Sequence, residues 1–245
     1  MFSFLKDHPF AVEAFFESSV VFAYAVPKEA LEHRIPECLT LDLFQDRWAF
    51  LAVAMVQTRD LRPKGFPRFI GNDFSLVGYR VFVRYRDNAG KERRGLYILR
   101  SQTDSRRMEF FGNIFTHYNY STTDFERVES GGRTEIFTPD FRVVFEEGDE
   151  DTPLPEGSPF ANWKEARKYE GPLPYTFTYE PKTRKVVIIE GVRQNWKPAP
   201  VRVLDHKFAF LEGLGLRDAV LSNAFVIRNV PYLWKKGRTE IWNPA

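Results

Sequence analysis

The chain has 245 residues, of which 43% are hydrophobic, so it can bury a substantial core. Its 35 basic and 33 acidic side chains give a net charge of +2, which is too balanced to hold a nucleic acid by charge alone. No stretch approaches the roughly 20 apolar residues of a membrane helix, so we expect neither a nucleic acid nor a membrane as a partner.

Cysteine and histidine content bears on the compartment and on metal binding. Cys38 is the only cysteine, so no intrachain disulfide can form, which favours a reducing compartment. The histidines at positions 8, 33, 117 and 206 are too scattered for a sequence-local zinc site. The apolar run at residues 20–26 lacks the basic flank and cleavage site of a signal peptide. We therefore expect a cytoplasmic protein without a metal or another cofactor.

Strand-like runs recur along the whole chain. Aromatic residues make up 16% of the sequence, including 24 phenylalanines, and this composition favours sheet. Turn sequences such as Asn88-Ala89-Gly90, Gly131-Gly132 and residues 180–183 separate the runs, which is typical of antiparallel hairpins and disfavours a doubly wound nucleotide-binding fold. The runs cover residues 20–26, 48–56, 79–85, 95–100, 133–137, 142–146, 175–179, 186–190, 224–230 and 238–242.

Few helices are predicted. Good helix formers after Pro27 predict one or two turns over residues 28–35. Asp104 or Ser105 can cap a longer helix that runs through Phe115, and we favour capping over a pocket role for Asp104. His206 follows Asp205, a pairing that suggests acid–base work, but we interpret it as the start of a surface helix. The other predicted helices carry residues 163–168 and 206–212.

Three charged segments have a structural explanation. Residues 84–94, RYRDNAGKERR, lie between two strand-like runs and predict an exposed hairpin tip rather than a phosphate site. Lys235-Lys236 also joins two runs, and we interpret it as a solvated hairpin turn rather than a nucleophile. The acidic, proline-rich residues 146–159 are interpreted as an insertion, because neither half of the chain has a complete set of elements. One domain, residues 1–245, is therefore predicted.

Several segments in order carry a family resemblance. The first, VPKEALEHRIPECLTLDLFQDRWAFLAVAMVQTRDLRPKGFP, combines a short helix, a Leu-x-Leu-Asp strand, a second strand and a loop rich in Arg, Gly and Pro. The strand Gly78-Tyr79-Arg80-Val81-Phe82-Val83, the turn Ser101-Gln102-Thr103-Asp104 and the segment Asn195-Trp196-Lys197-Pro198-Ala199-Pro200-Val201 follow. This succession resembles the YqjF-like uncharacterised bacterial family of the acetoacetate decarboxylase-like superfamily. The resemblance implies a mainly β (α+β) fold, a partly closed antiparallel β-barrel with a few short helices and a central pocket.

The resemblance also raises the question of decarboxylation. In acetoacetate decarboxylase a lysine forms a Schiff base with the keto acid, and a neighbouring cation keeps its amine neutral. The resemblance places this lysine near the start of the helix over residues 104–115, yet residues 101–125 contain no lysine. Arg106 and Arg107 stand there, but a guanidinium stays protonated and cannot form an imine. Ser75 or Leu76 falls where the superfamily has a carboxylate, so we expect no acetoacetate decarboxylase activity.

Arg80 is the leading candidate for binding a ligand. It shares a strand face with Phe82 and Arg84, and if this face lines the barrel, Arg80 can bind a carboxylate. The alternative for Arg80 is a place on a charged strand face that points outward. His117, Tyr118 and Tyr120 form a second candidate group, and the alternative for them is a structural role at the edge of the core. The candidate ligand-binding residues are Arg80, Gln102, Asp104, Arg107, His117, Tyr118 and Tyr120.

Two functional hypotheses follow from these residues. In the first, a central pocket binds a small anionic organic molecule. In the second, the protein is an enzyme that acts on a small keto acid by acid–base chemistry through Asp104 and His117, with Schiff-base chemistry disfavoured. The sequence leaves open whether the protein is an enzyme and whether it forms a homo-oligomer.

Overall fold

The computed structural model describes residues 3–194, 196–216 and 218–244, and most of these residues lie in strands. The helices are α1 (Glu29–Glu32), α2 (Arg106–Phe115), α3 (Trp163–Glu170) and α4 (Ala209–Gly213), and short 3₁₀ turns cover Ser3–Asp7 and Arg68–Ile70. The strands are β1 (Val12–Pro27), β2 (Thr40–Leu41), β3 (Trp48–Pro63), β4 (Asn72–Arg86), β5 (Glu92–Thr103), β6 (Tyr120–Thr122), β7 (Glu126–Ser130), β8 (Arg133–Thr138), β9 (Phe141–Glu147), β10 (Tyr175–Glu180), β11 (Lys185–Arg193), β12 (Ala199–Phe208), β13 (Val220–Trp234) and β14 (Arg238–Ile241). Nine of the ten predicted runs lie within a strand, and the tenth, residues 238–242, extends one residue beyond β14, so the mainly β fold is confirmed.

The strands form one continuous sheet whose central part closes on itself. Its order is β14-β11-β10-β5-β4-β3-β1-β13-β12-β9-β8-β7, and β11 pairs in addition with β13. The strands β11, β10, β5, β4, β3, β1 and β13 therefore make a ring of paired neighbours. Pairing is antiparallel except for β10 with β5 and β5 with β6. The predominance of hairpin connections explains why the turn sequences predicted an antiparallel sheet.

Two faces of the ring strands have different roles because successive side chains of a strand point to opposite sides. On the outer side, Phe22 of β1 packs against Phe145 of β9, with ring centroids 6.1 Å apart, so β9 and β12 cover this face. The inner side carries Val21, Ala52 and Phe82 together with side chains of α3. The core therefore lies on both sides of the ring. Burial of each large apolar side chain contributes about 1.5–3 kcal/mol to stability.

The hairpin between β4 and β5 is confirmed, and three of its five basic residues have carboxylate partners. Arg84 Nε and Arg94 Nε donate to the two oxygens of the buried Asp42 at 2.7 and 2.6 Å. Arg93 Nε donates to Asp87 at 2.6 Å. These ion pairs compensate three of the five basic charges at residues 84–94, which disfavours a phosphate site there.

The predicted helices α1, α2 and α3 are present, but the cap of α2 differs from the favoured interpretation. Ser105 is the N-cap, and its Oγ accepts a hydrogen bond from Met108 N at 3.2 Å. Asp104 Oδ1 accepts instead from Ser75 N at 2.8 Å. The interpretation of Asp104 as the cap was wrong because its carboxylate fixes the start of β4 to the end of β5.

The fourth predicted helix begins later than expected. His206 lies on β12, opposite Val143 of β9, and α4 begins only at Ala209. His206 Nδ1 lies 2.9 Å from Tyr24 Oη, and burial lowers the pKa of the imidazole. The surface-helix interpretation of His206 was wrong because pairing with β9 overrides the local helix preference.

Lys235-Lys236 does not form a hairpin turn. Trp234 at the end of β13 pairs with Gly191, and Arg238 at the start of β14 pairs with Ile188, so the chain continues along the same edge of β11. Lys235 N and Nζ donate to the backbone and the carboxylate of Glu190 at 2.8 and 2.9 Å. The hairpin prediction was wrong, and both lysines are exposed.

Membrane crossing by a helix finds no support in the structure. Within the described ranges, no helix is both long enough and apolar enough to span a bilayer.

Candidate ligand-binding site

The interior of the strand ring contains a cavity of about 450 Å³. This volume lies within the roughly 300–1,000 Å³ that small-molecule sites occupy. Apolar side chains of the inner face form much of its wall, among them Val21, Ala54, Phe82 and Ile227. The cavity therefore combines an apolar wall with the few polar side chains described below.

Arg80 is the central polar residue of the cavity. Its backbone pairs with Ala52 of β3 and Ile98 of β5, in the middle of the sheet, and its side chain lines the cavity. Its buried Nε has no hydrogen-bond partner, and no ion pair joins the guanidinium to any residue that the structure describes. Burial lowers the pKa of Arg80. The site therefore lacks a counter-charge, and a cation without a partner in such an environment is energetically costly.

The other arginines of the cavity wall are already engaged. Arg62 forms ion pairs with two carboxylates. Arg107 donates to a backbone carbonyl at 2.8 Å, and Arg193 donates to two carbonyls of the segment after α3. Among the wall residues that the structure describes, Arg80 is thus the one arginine that forms no hydrogen bond or ion pair with another described residue.

A glycine provides the room that the Arg80 side chain needs. A Cβ atom at Gly78 would lie 3.0 Å from Arg80 Nε and 3.3 Å from Nη2. These distances are tighter than ordinary contacts, so the guanidinium lies directly against the β4 backbone. Gly78 therefore sets the position of the cation within the cavity.

Two tyrosines reach the cavity from the segment after α2. The side-chain amide of Asn113 accepts from Tyr120 N at 2.8 Å and donates to Tyr120 O at 2.9 Å. The Tyr120 ring lies so close to Gly112 that no Cβ fits there. Asn119, with φ +51°, occupies the left-handed region that asparagine tolerates, and it separates Tyr118 from Tyr120. These local contacts hold both rings at the cavity wall.

The tyrosine hydroxyls surround Arg80 without supplying a negative charge. Burial raises the pKa of Tyr120 to about 12 and raises that of Tyr118 as well, so both are neutral at physiological pH. Tyr232 joins them from β13, where its ring stacks on Phe16 with centroids 4.7 Å apart. All three are close enough to interact electrostatically with Arg80. Neutral hydroxyls can donate hydrogen bonds to an anion that the guanidinium holds.

Glu170, at the end of α3, is an acidic group of the same wall that the sequence did not single out. Its side chain is 1% exposed, and Ser222 contacts its Oε1. Burial raises its pKa to about 8, against the opposite effect of the Ser222 hydrogen bond. One signal was available in the sequence: Trp163, Ala166 and Glu170 have the spacing of a single helix face, which α3 turns toward the cavity side.

The seven candidate residues divide into two groups. Arg80, Arg107, Tyr118 and Tyr120 line the cavity, and Gln102, Asp104 and His117 lie outside it. Gln102 Nε2 donates to Asp140 at 2.8 Å, and Asp104 is bound to the backbone of Ser75. His117 Nε2 lies 4.0 Å from Asp7 Oδ1, and burial lowers its pKa.

A register shift explains why Gln102 is outside. Tyr79 pairs with Arg100 and Arg80 pairs with Ile98, so β5 has one extra residue, a bulge, at this point. Beyond a bulge the side chains exchange faces. Ser101, not Gln102, therefore lines the cavity beyond Ile98.

The donor set of the cavity bears on cofactors and on imine chemistry. In the part of the chain that the structure covers, no group of three or more His, Cys, Asp or Glu side chains could hold a metal ion. No lysine is among the described residues that line the cavity. The Schiff-base nucleophile of acetoacetate decarboxylase thus has no counterpart in this wall.

Solved structures with the same fold are acetoacetate decarboxylase-like proteins. Acetoacetate decarboxylase from Legionella pneumophila subsp. pneumophila str. Philadelphia 1 superposes with a TM-score of 0.62 and 11% identity, over 95% of this chain and 88% of that one. An acetoacetate decarboxylase-like enzyme from Sphingomonas wittichii RW1 gives 0.57 and 11%, over 96% and 94%. The enduracididine biosynthesis enzyme MppR, in complex with the condensation product of pyruvate and imidazole 4-carboxaldehyde, also gives 0.57 and 11%, over 94% and 89%.

These structural similarities establish the fold, and sequence comparison establishes the family. No curated protein matches the chain at significant similarity. The sequence profile of DUF2071, described as an uncharacterized conserved protein, matches residues 15–230. The chain therefore belongs to the DUF2071 family and has the acetoacetate decarboxylase-like fold.

Proposed function

We propose that the protein binds a small organic anion in the cavity of the strand ring, with Arg80 holding its carboxylate. The observation that carries this proposal is the guanidinium of Arg80, which lies at the cavity wall with its Nε buried and has no counter-charge among the described residues. A ligand carboxylate supplies that charge and accepts two parallel hydrogen bonds from the guanidinium. The hydroxyls of Tyr118, Tyr120 and Tyr232 can add further donors.

The apolar wall limits the rest of the ligand. Val21, Ala54 and Ile227 offer only van der Waals contacts, so the part of the molecule beyond the carboxylate is largely hydrocarbon. The cavity volume of about 450 Å³ suits a compact molecule. Keto acids are reasonable first candidates, because the complex of MppR contains a product of pyruvate.

Catalysis has weaker support than binding. Imine formation requires an uncharged amine, and the described cavity wall has no lysine. The acid–base alternative through Asp104 and His117 lacks support because both side chains lie outside the cavity. Binding of an anion is thus the function that the geometry favours.

A pair of probes that differ only in charge tests the proposal. We expect hexanoate to raise the Tm of the wild-type protein in a concentration-dependent way, because it provides the missing anion, and we expect uncharged hexanamide to have little effect. Differential scanning fluorimetry measures the shift, and isothermal titration calorimetry measures the Kd. The Arg80→Met variant should lose the response to hexanoate.

The matched control for this test is Arg107→Met. Arg107 also lines the cavity, but it is exposed and its Nη2 donates to the Ile70 carbonyl. We expect this variant to bind hexanoate within about twofold of the wild type, a difference of about 0.4 kcal/mol. Equal responses to hexanoate and hexanamide, or equal losses in the two variants, would contradict the proposal.

A substitution at Gly78 should weaken binding without removing the charge. In Gly78→Ala the new Cβ would lie 3.0 Å from Arg80 Nε, so the guanidinium has to move by a few tenths of an ångström. We expect a roughly three- to tenfold higher Kd for hexanoate, equivalent to about 1 kcal/mol. Calorimetric titration measures it, with Gly213→Ala as control because a Cβ there meets no atom within 4 Å. An unchanged Kd in Gly78→Ala would show that the position of Arg80 is not critical.

A further inference from the structure

The wall of the cavity contains a second polar group that nothing described so far has used. Glu170 lines the cavity and is almost completely buried. Its Oε1 is in contact with Ser222 Oγ, whereas its Oε2 has no hydrogen-bond partner among the described residues. A buried oxygen without a partner is uncommon in folded proteins and calls for an explanation.

The contacts of Ser222 indicate which form of Glu170 is present. Ser222 Oγ lies 3.0 Å from the carbonyl oxygen of Ala23 and also contacts Glu170 Oε1. A hydroxyl has one hydrogen, so Ser222 cannot donate to both oxygens. If Glu170 is protonated, its own O–H donates to Ser222 Oγ, and Ser222 donates to Ala23. Both contacts are then satisfied, and Oε2 stays available as a neutral acceptor.

Strand pairing places this group across the cavity from Arg80. Asn223, the residue after Ser222, pairs with Ala23, Ala23 pairs with Ala52, and Ala52 pairs with Arg80. Ser222, which contacts Glu170, therefore lies near the level of Arg80, three strand spacings away round the ring. At about 4.8 Å per spacing this is roughly 14 Å along the sheet. Both side chains line the same cavity of about 450 Å³, so a ligand of a few carbon atoms can lie between them.

We propose that Glu170 forms a second polar subsite, in which its neutral carboxyl accepts a hydrogen bond from an uncharged donor at the end of the ligand opposite the carboxylate. The inference rests on the proposed function and narrows it to bifunctional molecules, with a carboxylate at one end and a hydroxyl or carboxamide at the other. The apolar wall between the two groups suits the hydrocarbon chain that connects such ends.

The same arrangement discriminates against other ligand ends. A methyl end leaves Glu170 Oε2 without a partner, which is unfavourable in a buried site. A second carboxylate would bring a negative charge against an acceptor oxygen that has no cation beside it in the described residues. The subsite thus favours a donor that carries no charge.

Binding of matched acids tests this inference. The probes are straight-chain acids of four to eight carbons, each compared with the acid of equal length that has a hydroxyl on its last carbon. Titration calorimetry with the full chain at pH 6 measures the Kd values. At the length that fits, we expect the hydroxy acid to bind at least fivefold more tightly than the unsubstituted acid.

Variants of Glu170 and a structure of the complex identify the acceptor. Glu170→Leu should abolish the preference and still bind the unsubstituted acid. Glu170→Gln should keep the preference, because its amide can donate to Ser222 and still offer an oxygen. Glu165→Gln, on the same helix but outside the cavity wall, is the control and should behave as the wild type. A crystal structure of the wild type with the hydroxy acid should place the hydroxyl within hydrogen-bonding distance of Glu170 Oε2, whether or not Glu170→Leu folds.

The outcomes separate this inference from the proposed function. If unsubstituted acids bind in an Arg80-dependent way but no hydroxy acid binds more tightly, the second subsite is wrong and the proposed function stands. A preference that survives in Glu170→Leu, or a hydroxyl placed elsewhere in the complex, also overturns the subsite. If no acid of the series binds to the wild type, both proposals fail.

Discussion

The Arg80→Met variant is expected to be more stable than the wild type in the absence of ligand. Methionine has a similar shape, fills the same space against Gly78 and carries no charge that needs a partner. Replacement of a buried ion pair by apolar side chains of similar volume is often neutral or stabilising by about 1–4 kcal/mol, and Arg80 lacks a partner that would offset its desolvation. We expect an increase in that range in the free energy of unfolding, measured by urea denaturation at pH 7. The same variant should gain nothing from hexanoate.

Arg84→Met provides the contrast for this result. Arg84 lies on the same strand, but it donates to the buried Asp42 at 2.7 Å. Its removal leaves that carboxylate with Arg94 as its remaining cation, so the free energy of unfolding should fall. If Arg80→Met were destabilised as Arg84→Met is, the guanidinium of Arg80 would be well solvated or paired, and the case for an anion site would be lost.

The pH dependence of stability should reveal Glu170. Its pKa in the folded protein is about 8, above the ordinary value of 4.5, so the folded state holds a proton that the unfolded state has released between these values. Stability contributed by this group is therefore complete below about pH 4.5 and decreases as the pH rises toward 8. At about 1.4 kcal/mol per pH unit, the decrease amounts to roughly 4–5 kcal/mol over the interval.

The Glu170→Gln variant isolates this effect. Glutamine cannot lose a proton, so we expect its free energy of unfolding to exceed that of the wild type increasingly from pH 5 to 8. Arg94 and Arg193 reach the same segment, but they donate to backbone carbonyls there. His8 and His206, whose pKa values are lowered, contribute with the opposite sign in both proteins and cancel in the difference. Parallel pH profiles for the two proteins would exclude a protonated Glu170.

The strands could be predicted from sequence because their signals are local and strong. Long runs of aromatic and β-branched residues, separated by glycine and asparagine turns, identify elements such as β3 and β4. The region of β12 around His206 was mispredicted, because its pairing with β9 depends on residues some sixty positions away. Local preference does not include such pairing energy.

The site was only partly predictable for related reasons. Arg80 could be assigned to one strand face, but which face lines a cavity depends on how the whole sheet closes. Gln102 was chosen because the family resemblance places its turn before the pocket helix, but the bulge in β5 turns its side chain away from the cavity. Glu170 lies in the charged run KEARKYE, where an acidic residue usually indicates solvent exposure. Its burial results from the packing of α3 on the ring.

The strand ring is not equally strong all the way round. β10 joins β5 through three parallel pairs, Tyr175 to Phe177 with Gly95 to Tyr97, and β11 joins β13 through three pairs that begin at Gly191. By contrast, β1, β3, β4, β5 and β13 share long ladders. The hairpin of β10 and β11 is thus joined to the rest of the ring by three residue pairs on each side. Arg80 is on β4, whose ladders with β3 and β5 are long, so the strand that carries the cation is held firmly on both sides.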